Sequence, residues 1–183
     1  MDCVTCLANQ EGRETITAQE YCRGCRRAAG MDDVGGGVIP LGTHWMVNHY
    51  SNQKERFLGW LVVQPNQHRT RMSELTVEEL REFGIIAQRI EDALVTTYNA
   101  SHVDDMIEIV YLVRLGESTL GERAEWHLHW HLVPRTSSVK HKCEGWDILK
   151  CRERGLKPAP SRSEIEELMN RLRHTMKVKR TSS

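Results

Sequence analysis

Three histidines alternate with bulky apolar residues in residues 127–134, which read HLHWHLVP. Because successive side chains of a β-strand point to opposite faces, the three imidazoles would share one face of the strand. Such a row can hold a histidine nucleophile with a helper on each side, which points to His129 flanked by His127 and His131. It can also converge on a single zinc ion. An exposed strand edge with a chance cluster of histidines is the third interpretation.

Four cysteines near the N-terminus form a second candidate site. Cys3 and Cys6 are separated from Cys22 and Cys25 by fifteen residues, and each pair has two residues between its members. This spacing is typical of zinc sites, because each pair can form a tight turn, helped here by Gly24, and two pairs complete a tetrahedron. Four thiolates leave no open position for a substrate, so the zinc is predicted to be structural. A pair of disulfides or free thiols is the alternative, and the missing export signal disfavours it.

The histidine run also resembles a known signature. Residues 127–133 are similar to the His-φ-His-φ-His-φ-φ pattern, with φ apolar, of the histidine triad (HIT) family of nucleotide hydrolases and transferases. The resemblance extends to residues 60–68 (WLVVQPNQH) and continues through residues 71–76 into a long helix. It covers residues 44–136, with Trp60 standing where several relatives have a histidine.

The resemblance implies a chemical role for each triad histidine. His129 would attack the α-phosphate of a nucleotide and form a covalent intermediate that water or another acceptor resolves, while His127 and His131 stabilise charge on the phosphate. The expected substrates are dinucleoside polyphosphates, phosphoramidates or nucleotide conjugates. His131 stands where the galactose-1-phosphate uridylyltransferase branch has glutamine, which favours a hydrolase over the alternative, a nucleotidyltransferase. The family likeness also implies a homodimer.

Two further residues are candidates for substrate binding. Family members carry Gly-Gln-Ser or Gly-Gln-Thr just before the triad, whereas this chain has Arg123 and Ala124 there. The missing hydroxyl puts phosphoramidate cleavage in doubt. Arg123 is predicted to clamp a phosphate, unless it is a solvated charge paired with Glu122 or Glu125. Asn48 is a candidate for contact with a sugar hydroxyl, and a polar residue at a strand edge is the alternative.

The resemblance also offers a second ligand set for the zinc. Some HIT-like proteins and their transferase relatives bind zinc with one pair of cysteines and two histidines, for which His68 and His127 are the candidates here. Because this chain contains two complete cysteine pairs, the four-cysteine site is favoured. Cys143 and Cys151 match no zinc spacing and are assigned no chemistry.

Composition and pattern divide the chain into four segments, and the resemblance implies that the third is a HIT domain. They are a zinc-knuckle segment (1–30), a glycine-rich linker (31–43), the domain (44–136) and a basic C-terminal extension (137–183). The extension contains an amphipathic helix over 163–177, started by a Ser163–Glu166 capping box, that is expected to dock on the domain or to form a dimer contact.

Within the domain, hydrophobic periodicity predicts an α+β fold: an antiparallel sheet with one long helix packed on it. Thr76 and Glu79 form a capping box that begins the helix, which ends near residues 98–99. His49 is expected at the surface. The predicted strands cover residues 45–50, 57–64, 106–115 and 126–134.

The formal charge of the 183-residue chain is zero but unevenly distributed. Residues 31–139 carry 9 basic and 15 acidic groups, a net charge of −6, whereas residues 140–183 carry 12 basic and 6 acidic groups, a net charge of +6. The C-terminal extension is therefore expected to fold back onto the acidic body or to meet a polyanion. The latter would make the chain a zinc-containing nucleic-acid- or nucleotide-binding protein with little turnover. No apolar run is long enough to span a membrane, which predicts a cytoplasmic protein.

Overall fold

The computed structural model describes residues 22–52, 54, 56–115 and 126–180. Cys3, Cys6 and Arg123 lie outside these ranges. Three α-helices occupy the described part of the chain: α1 (Arg23–Ala28), α2 (Val77–Asn99) and α3 (Arg162–Arg180). The strands are β1 (Ile39–Leu41), β2 (Trp45–His49), β3 (Leu61–Pro65), β4 (Ile107–Val113) and β5 (Trp130–Thr136). Short 3₁₀ helices cover Met72–Glu74, Ser137–Val139 and Gly145–Lys150.

The five strands form one antiparallel sheet in the order β1-β2-β3-β5-β4. Val47 pairs with Val63, which pairs with Trp130, so these three side chains share one face of the sheet. Asn48 and His131 lie on the other face. The α+β architecture predicted from the periodicity is confirmed.

One face of the sheet is covered by α2 and α3, and the main hydrophobic core lies between these layers. Each large apolar side chain fully buried there stabilises the fold by about 1.5–3 kcal/mol. His49 also lies on this face and is 2% exposed, so the prediction that it would be at the surface was wrong. The helical residues of the core are Ile86, Ile90, Ala93, Leu94 and Tyr98 of α2 and Ile165, Leu168, Met169 and Leu172 of α3.

Both long helices begin with capping boxes, only one of which was correctly identified from the sequence. Thr76 accepts a hydrogen bond from the Glu79 backbone, and the Glu79 carboxylate accepts one from the Thr76 backbone. At α3 the box is formed by Ser161 and Glu164, two residues before the predicted pair. Glu166 instead forms an ion pair with Arg162.

The glycine-rich segment, predicted as a linker, packs against the rest of the described chain. It contains strand β1, whose Ile39 and Leu41 side chains are buried. Gly36 lies against Met169 of α3 with a positive φ of 74°, so a side chain there would be strained and would overlap Met169. The missing side chains allow α3 to pack closely against this segment.

The C-terminal extension folds back onto the acidic body. Arg162 binds both carboxylate oxygens of Asp33 at 2.9 and 3.0 Å, and the buried Lys157 ammonium lies 2.7 Å from Asp105. Cys143 and Cys151, to which the sequence assigned no chemistry, form a disulfide. They pack into a second hydrophobic cluster together with Phe57, Trp60, Val133, Val139 and Ile148. None of the helices in the described ranges is long and apolar enough to span a bilayer.

Candidate active site and metal centre

Two cysteines and two histidines converge between α1 and the start of the triad. The ligand atoms of Cys22, Cys25, His68 and His127 all lie within 4.8 Å of one another. Nδ1 of His127 is 3.3 Å from the Cys22 sulfur and 3.7 Å from the Cys25 sulfur, and Nδ1 of His68 is 3.3 Å from the Cys25 sulfur. These four donors match a common zinc ligand set.

The distances and donor chemistry fit a tetrahedral zinc ion. With Zn–S of about 2.3 Å and Zn–N of about 2.0–2.1 Å, a tetrahedron places sulfur and nitrogen about 3.5 Å apart. Nε2 of His127 donates to the Pro65 carbonyl at 2.9 Å, which leaves Nδ1 to face the sulfurs with its lone pair. The adjacent Cys25 thiol and the neighbouring imidazoles hold the pKa of Cys22 well below its usual value, which favours the thiolate that zinc requires.

The cluster depends on a close contact between the backbone of α1 and the His127 imidazole. Cys22 is the N-cap of α1 and Cys25 lies one turn later, so both thiols point to one side. Gly24 lies directly beneath the His127 ring, where a methyl group would overlap it. Gln64 of β3 donates to the Gly24 carbonyl at 2.9 Å and ties α1 to the sheet. Gly24 is thus required for this contact, whereas the sequence suggested only that it helps the turn.

The cluster corresponds to the second of the two ligand sets considered from the sequence. The favoured set of four cysteines includes Cys3 and Cys6, which lie outside the described residues. The structure instead brings His68 and His127 to the cysteine pair Cys22 and Cys25.

The position of His127 separates it from the other two triad histidines. Regular pairing in β5 begins at Trp130, four residues later than predicted from the alternation. The neighbouring strand β3 ends at Pro65, which has no N–H to continue the ladder, and its carbonyl accepts from His127. Both ring nitrogens of His127 are engaged, Nδ1 by the cysteine sulfurs and Nε2 by the Pro65 carbonyl, and its role beside a phosphate stays a prediction.

His129 has the hydrogen-bonding arrangement of a nucleophile. Its Nδ1 lies 2.7 Å from the His127 carbonyl, an acceptor, so Nδ1 carries the proton and Nε2 has a free lone pair. Burial lowers the pKa of His129 below its usual value, so the ring is neutral at physiological pH. The side chain is only half-buried.

His131 has the opposite arrangement. Nε1 of Trp60 donates to Nδ1 of His131 at 3.0 Å, so in the neutral ring the proton of His131 is on Nε2. Burial, followed by the charges of His129 and Arg27, lowers the pKa of His131 to about 3. The His129 and His131 rings are in contact, with centroids 4.9 Å apart at an interplanar angle of 74°.

Arg27, which no sequence motif indicated, brings a positive charge near the triad. Its Nη2 donates to Ser51 at 2.9 Å, and its Nε is buried without a hydrogen-bond partner. Ser51 follows Tyr50, whose ring packs edge-on against His131 with centroids 5.1 Å apart. No carboxylate among the described residues forms an ion pair with Arg27. The available signal was its position two residues after Cys25.

Of the two predicted substrate contacts, Asn48 is described and Arg123 is not. Asn48 shares a sheet face with His131 but is completely buried, and its amide donates to the His49 carbonyl at 2.7 Å. Its Oδ1 is buried without a hydrogen-bond partner, and contact of Asn48 with a sugar stays a prediction. A cavity of about 600 Å³ lies between the glycine-rich segment and α3. Arg27 borders this cavity, whereas the three triad histidines do not.

Comparison with solved structures identifies the fold. A zinc-bound histidine triad family protein from Mycobacterium smegmatis superposes with a TM-score of 0.58 and 16% identity, over 90% of this chain and 99% of that one. A uridylyltransferase gives a TM-score of 0.55 and 16% identity over 87% of this chain and 46% of that one. Plasmodium falciparum diadenosine triphosphate hydrolase, in complex with cyclomarin A, gives a TM-score of 0.50 and 14% identity over 78% of this chain and 77% of that one. The chain therefore has the fold of histidine triad proteins.

Sequence comparisons were negative: no family model matches the chain, and no curated protein matches it.

Proposed function

We propose that this protein is a nucleotide-binding hydrolase of the histidine triad type, with His129 as its nucleophile. The observation that carries the proposal is the 2.7 Å hydrogen bond from Nδ1 of His129 to the His127 carbonyl, which directs the lone pair of Nε2 away from the backbone. A neutral, half-buried imidazole held in this tautomer is prepared for attack on phosphorus.

The reaction would proceed in two displacements at the α-phosphorus of a nucleoside phosphate. In the first, a bond forms between Nε2 of His129 and phosphorus, and the bond from phosphorus to the leaving oxygen breaks with its electron pair. In the second, water attacks phosphorus, the P–N bond breaks, and the proton of water passes to solvent. The products are a nucleoside monophosphate and the leaving group.

Two side chains would stabilise charge on the reacting phosphate. His131 donates from Nε2 as a neutral group, and Arg27 contributes a permanent positive charge without a carboxylate partner in the described part of the chain. Fixed donors of this kind supply much of the catalysis in phosphoryl transfer. His127 is assigned to the metal centre instead.

The protonation states favour anhydride substrates over phosphoramidates. Burial lowers the pKa values of both His129 and His131, so neither ring is an imidazolium acid at neutral pH. Ala124 also replaces the hydroxyl that family members carry before the triad. A phosphate or nucleotide leaving group departs without strong acid assistance, whereas an amine requires a proton. Dinucleoside polyphosphates and nucleotide conjugates joined through phosphate are therefore the proposed substrates.

A zinc ion held by Cys22, Cys25, His68 and His127 would have a structural role. Four protein ligands leave no open position for substrate, and the ion would fix α1 against the start of β5. The same ligands position the His127 carbonyl that orients His129.

The alternative function is transfer of the nucleotidyl group to an acceptor other than water, through the same intermediate. Fold likeness to a uridylyltransferase is consistent with it. A nucleic-acid-binding role has less support, because Arg162, Lys157 and Lys140 of the basic extension are paired with carboxylates of the body.

The test is turnover of a dinucleoside polyphosphate by wild type, His129→Ala and a control, His44→Ala, which changes a histidine outside the triad. His129→Ala is expected to lower kcat by at least about a thousandfold without changing the melting temperature, as loss of a nucleophile does. The control should match wild type. Wild-type turnover by His129→Ala would overturn the assignment.

A further inference from the structure

Trp60 makes a direct hydrogen bond to the triad. Its indole N–H donates to Nδ1 of His131 at 3.0 Å, and both side chains are buried, with exposures of 2% and 4%. An indole N–H can only donate, so Nδ1 of His131 can only accept. A proton on Nδ1 would place two donors face to face in a buried site.

We propose that Trp60 is a positioning residue that fixes His131 as a neutral donor, with Nε2–H as the group available to the substrate. This inference rests on the proposed function of the same site and adds how His131 acts in it. The proton of His131 stays on one nitrogen throughout the reaction, so His131 binds charge on the phosphate and does not transfer a proton to the leaving group.

The surroundings of Trp60 hold the indole in this orientation. Tyr50 stacks on the indole with ring centroids 4.5 Å apart, and the ring centroid of Phe57 lies 5.2 Å from that of Trp60. The C-terminal extension covers the same cluster through Val139, Ile148 and the Cys143–Cys151 disulfide. The extension thus supports, through Trp60, the donor state of His131.

The chemical contrast with histidine at this position is informative. A histidine at position 60 could donate, accept or become charged, so it would leave the proton of His131 undetermined. Tryptophan can only donate, so it determines which nitrogen of His131 carries the proton. A glutamine at position 131 would present the same type of group as a fixed neutral His131: an N–H donor that is not an acid.

The experiment compares Trp60→Phe, which removes the indole N–H and keeps an aromatic ring, with Trp45→Phe as a matched control. Trp45 is also buried, and its Nε1 donates to the Glu79 carbonyl at 3.0 Å, on the face of the sheet away from the triad. Both variants lose one buried indole hydrogen bond. Only Trp60→Phe should affect His131.

The first readout is the ¹⁵N NMR spectrum of His131, which needs no turnover. Wild type and Trp45→Phe should show the neutral Nε2–H tautomer from pH 8 down to pH 5, and Trp60→Phe should show a mixture of the two neutral tautomers. An Nδ1–H tautomer, or an imidazolium at pH 6, in wild-type protein would overturn the proposal even if the enzyme is fully active.

The second readout is kcat on a dinucleoside polyphosphate. Trp60→Phe should lower kcat roughly tenfold, the effect of losing one buried hydrogen bond, and leave KM nearly unchanged. His131→Gln should keep more activity than His131→Ala. An unchanged kcat in Trp60→Phe, or equal activities of His131→Gln and His131→Ala, would overturn the proposal.

Failure of this inference and failure of the proposed function give different results. If wild type forms no His129 adduct and turns over no nucleotide, the proposed function fails whatever the NMR spectrum shows. If the adduct forms but the His131 tautomer is independent of Trp60, only the positioning role fails.

Discussion

His129 and His131 are chemically identical side chains that their hydrogen bonds make opposite in polarity. Nδ1 of His129 donates to a carbonyl, which leaves a lone pair on Nε2. Nδ1 of His131 instead accepts from an indole N–H, which leaves the proton on Nε2. One ring therefore suits attack on phosphorus and the other suits binding of phosphate oxygens. The two roles depend on the groups behind the rings, which the triad pattern itself does not contain.

Buried neutral histidines also predict how stability depends on pH. Burial lowers the pKa of His131 to about 3 and that of His49 to about 4, whereas histidine in an unfolded chain has a pKa of about 6.5. As pH falls below 6.5 the unfolded chain binds protons that the folded protein does not. The free energy of unfolding should therefore decrease by up to about 1.4 kcal/mol per pH unit for each group.

Urea unfolding between pH 7 and pH 4.5 measures this slope. His131→Gln should make the slope smaller, because one of the buried histidines with a lowered pKa is removed. His141→Gln, which changes an exposed imidazole, is the control and should keep the wild-type slope. A slope unaffected by His131→Gln would contradict the burial of a neutral His131.

At the scale of elements, the short helix α1 links the metal centre to the triad. It follows Cys22, contains Cys25, and carries Arg27 at its C-terminal end. We expect Arg27→Met to raise KM for a nucleotide by about ten- to a hundredfold, corresponding to ~1.5–3 kcal/mol for a hydrogen bond to a charged group. Arg26→Met is the matched control, because Arg26 is already paired with Asp32 at 2.8 Å. Equal KM values for the two variants would exclude Arg27 from substrate binding.

Metal analysis separates the two ligand sets proposed for zinc. We expect one zinc ion per chain in wild type and in a Cys3→Ser/Cys6→Ser double variant, and none in His68→Ala, because His68 belongs to the observed cluster. Elemental analysis of purified protein gives these ratios. Loss of zinc from the double variant would restore the four-cysteine site, and two ions per chain would indicate a metal on the triad.

Local signals in the sequence predicted the helices and strands better than they predicted the contacts between residues far apart in the chain. The start of α2 was correct because Thr76 and Glu79 interact within one turn. At α3 two Ser-x-x-Glu patterns overlap, and the helix begins at the earlier one, Ser161 to Glu164, rather than at the predicted pair. Strand β3 begins at Leu61, after a turn at Gly59 with a φ of 88°, four residues later than the apolar run suggested.

The candidate site shows the same limit. The cysteine spacing indicated a metal, but the choice of ligands depends on how His68 and His127 approach Cys22 and Cys25 from about 40 and 100 residues away. Local spacing cannot encode that approach. The Trp60–His131 hydrogen bond, across 71 residues, was missed for the same reason.

For the whole molecule, the longer of the two edge strands of the sheet predicts self-association. Strand β4 lies at the end of the strand order and exposes Ile109 (41%) and Leu112 (46%). A seven-residue edge strand with exposed apolar side chains favours pairing with a second copy about a two-fold axis. We therefore expect a homodimer in which two β4 strands are adjacent.

Size-exclusion chromatography with light scattering tests the dimer. Wild type should elute at twice the chain mass of 21.1 kDa, and Leu112→Lys should shift the population toward monomer. Val77→Lys, which changes an exposed apolar residue at the start of α2, is the control and should remain dimeric. A monomeric wild type, or a dimer insensitive to Leu112→Lys, would contradict this interface.

The most direct test of the account is the mass of the protein after rapid mixing with a dinucleoside polyphosphate and quenching in alkali, where a phosphoramidate bond to histidine survives. Peptide mapping should place one nucleoside monophosphate on His129 of wild type and none on His129→Ala. An adduct on another residue, or turnover of the substrate by His129→Ala, would contradict His129 as the nucleophile.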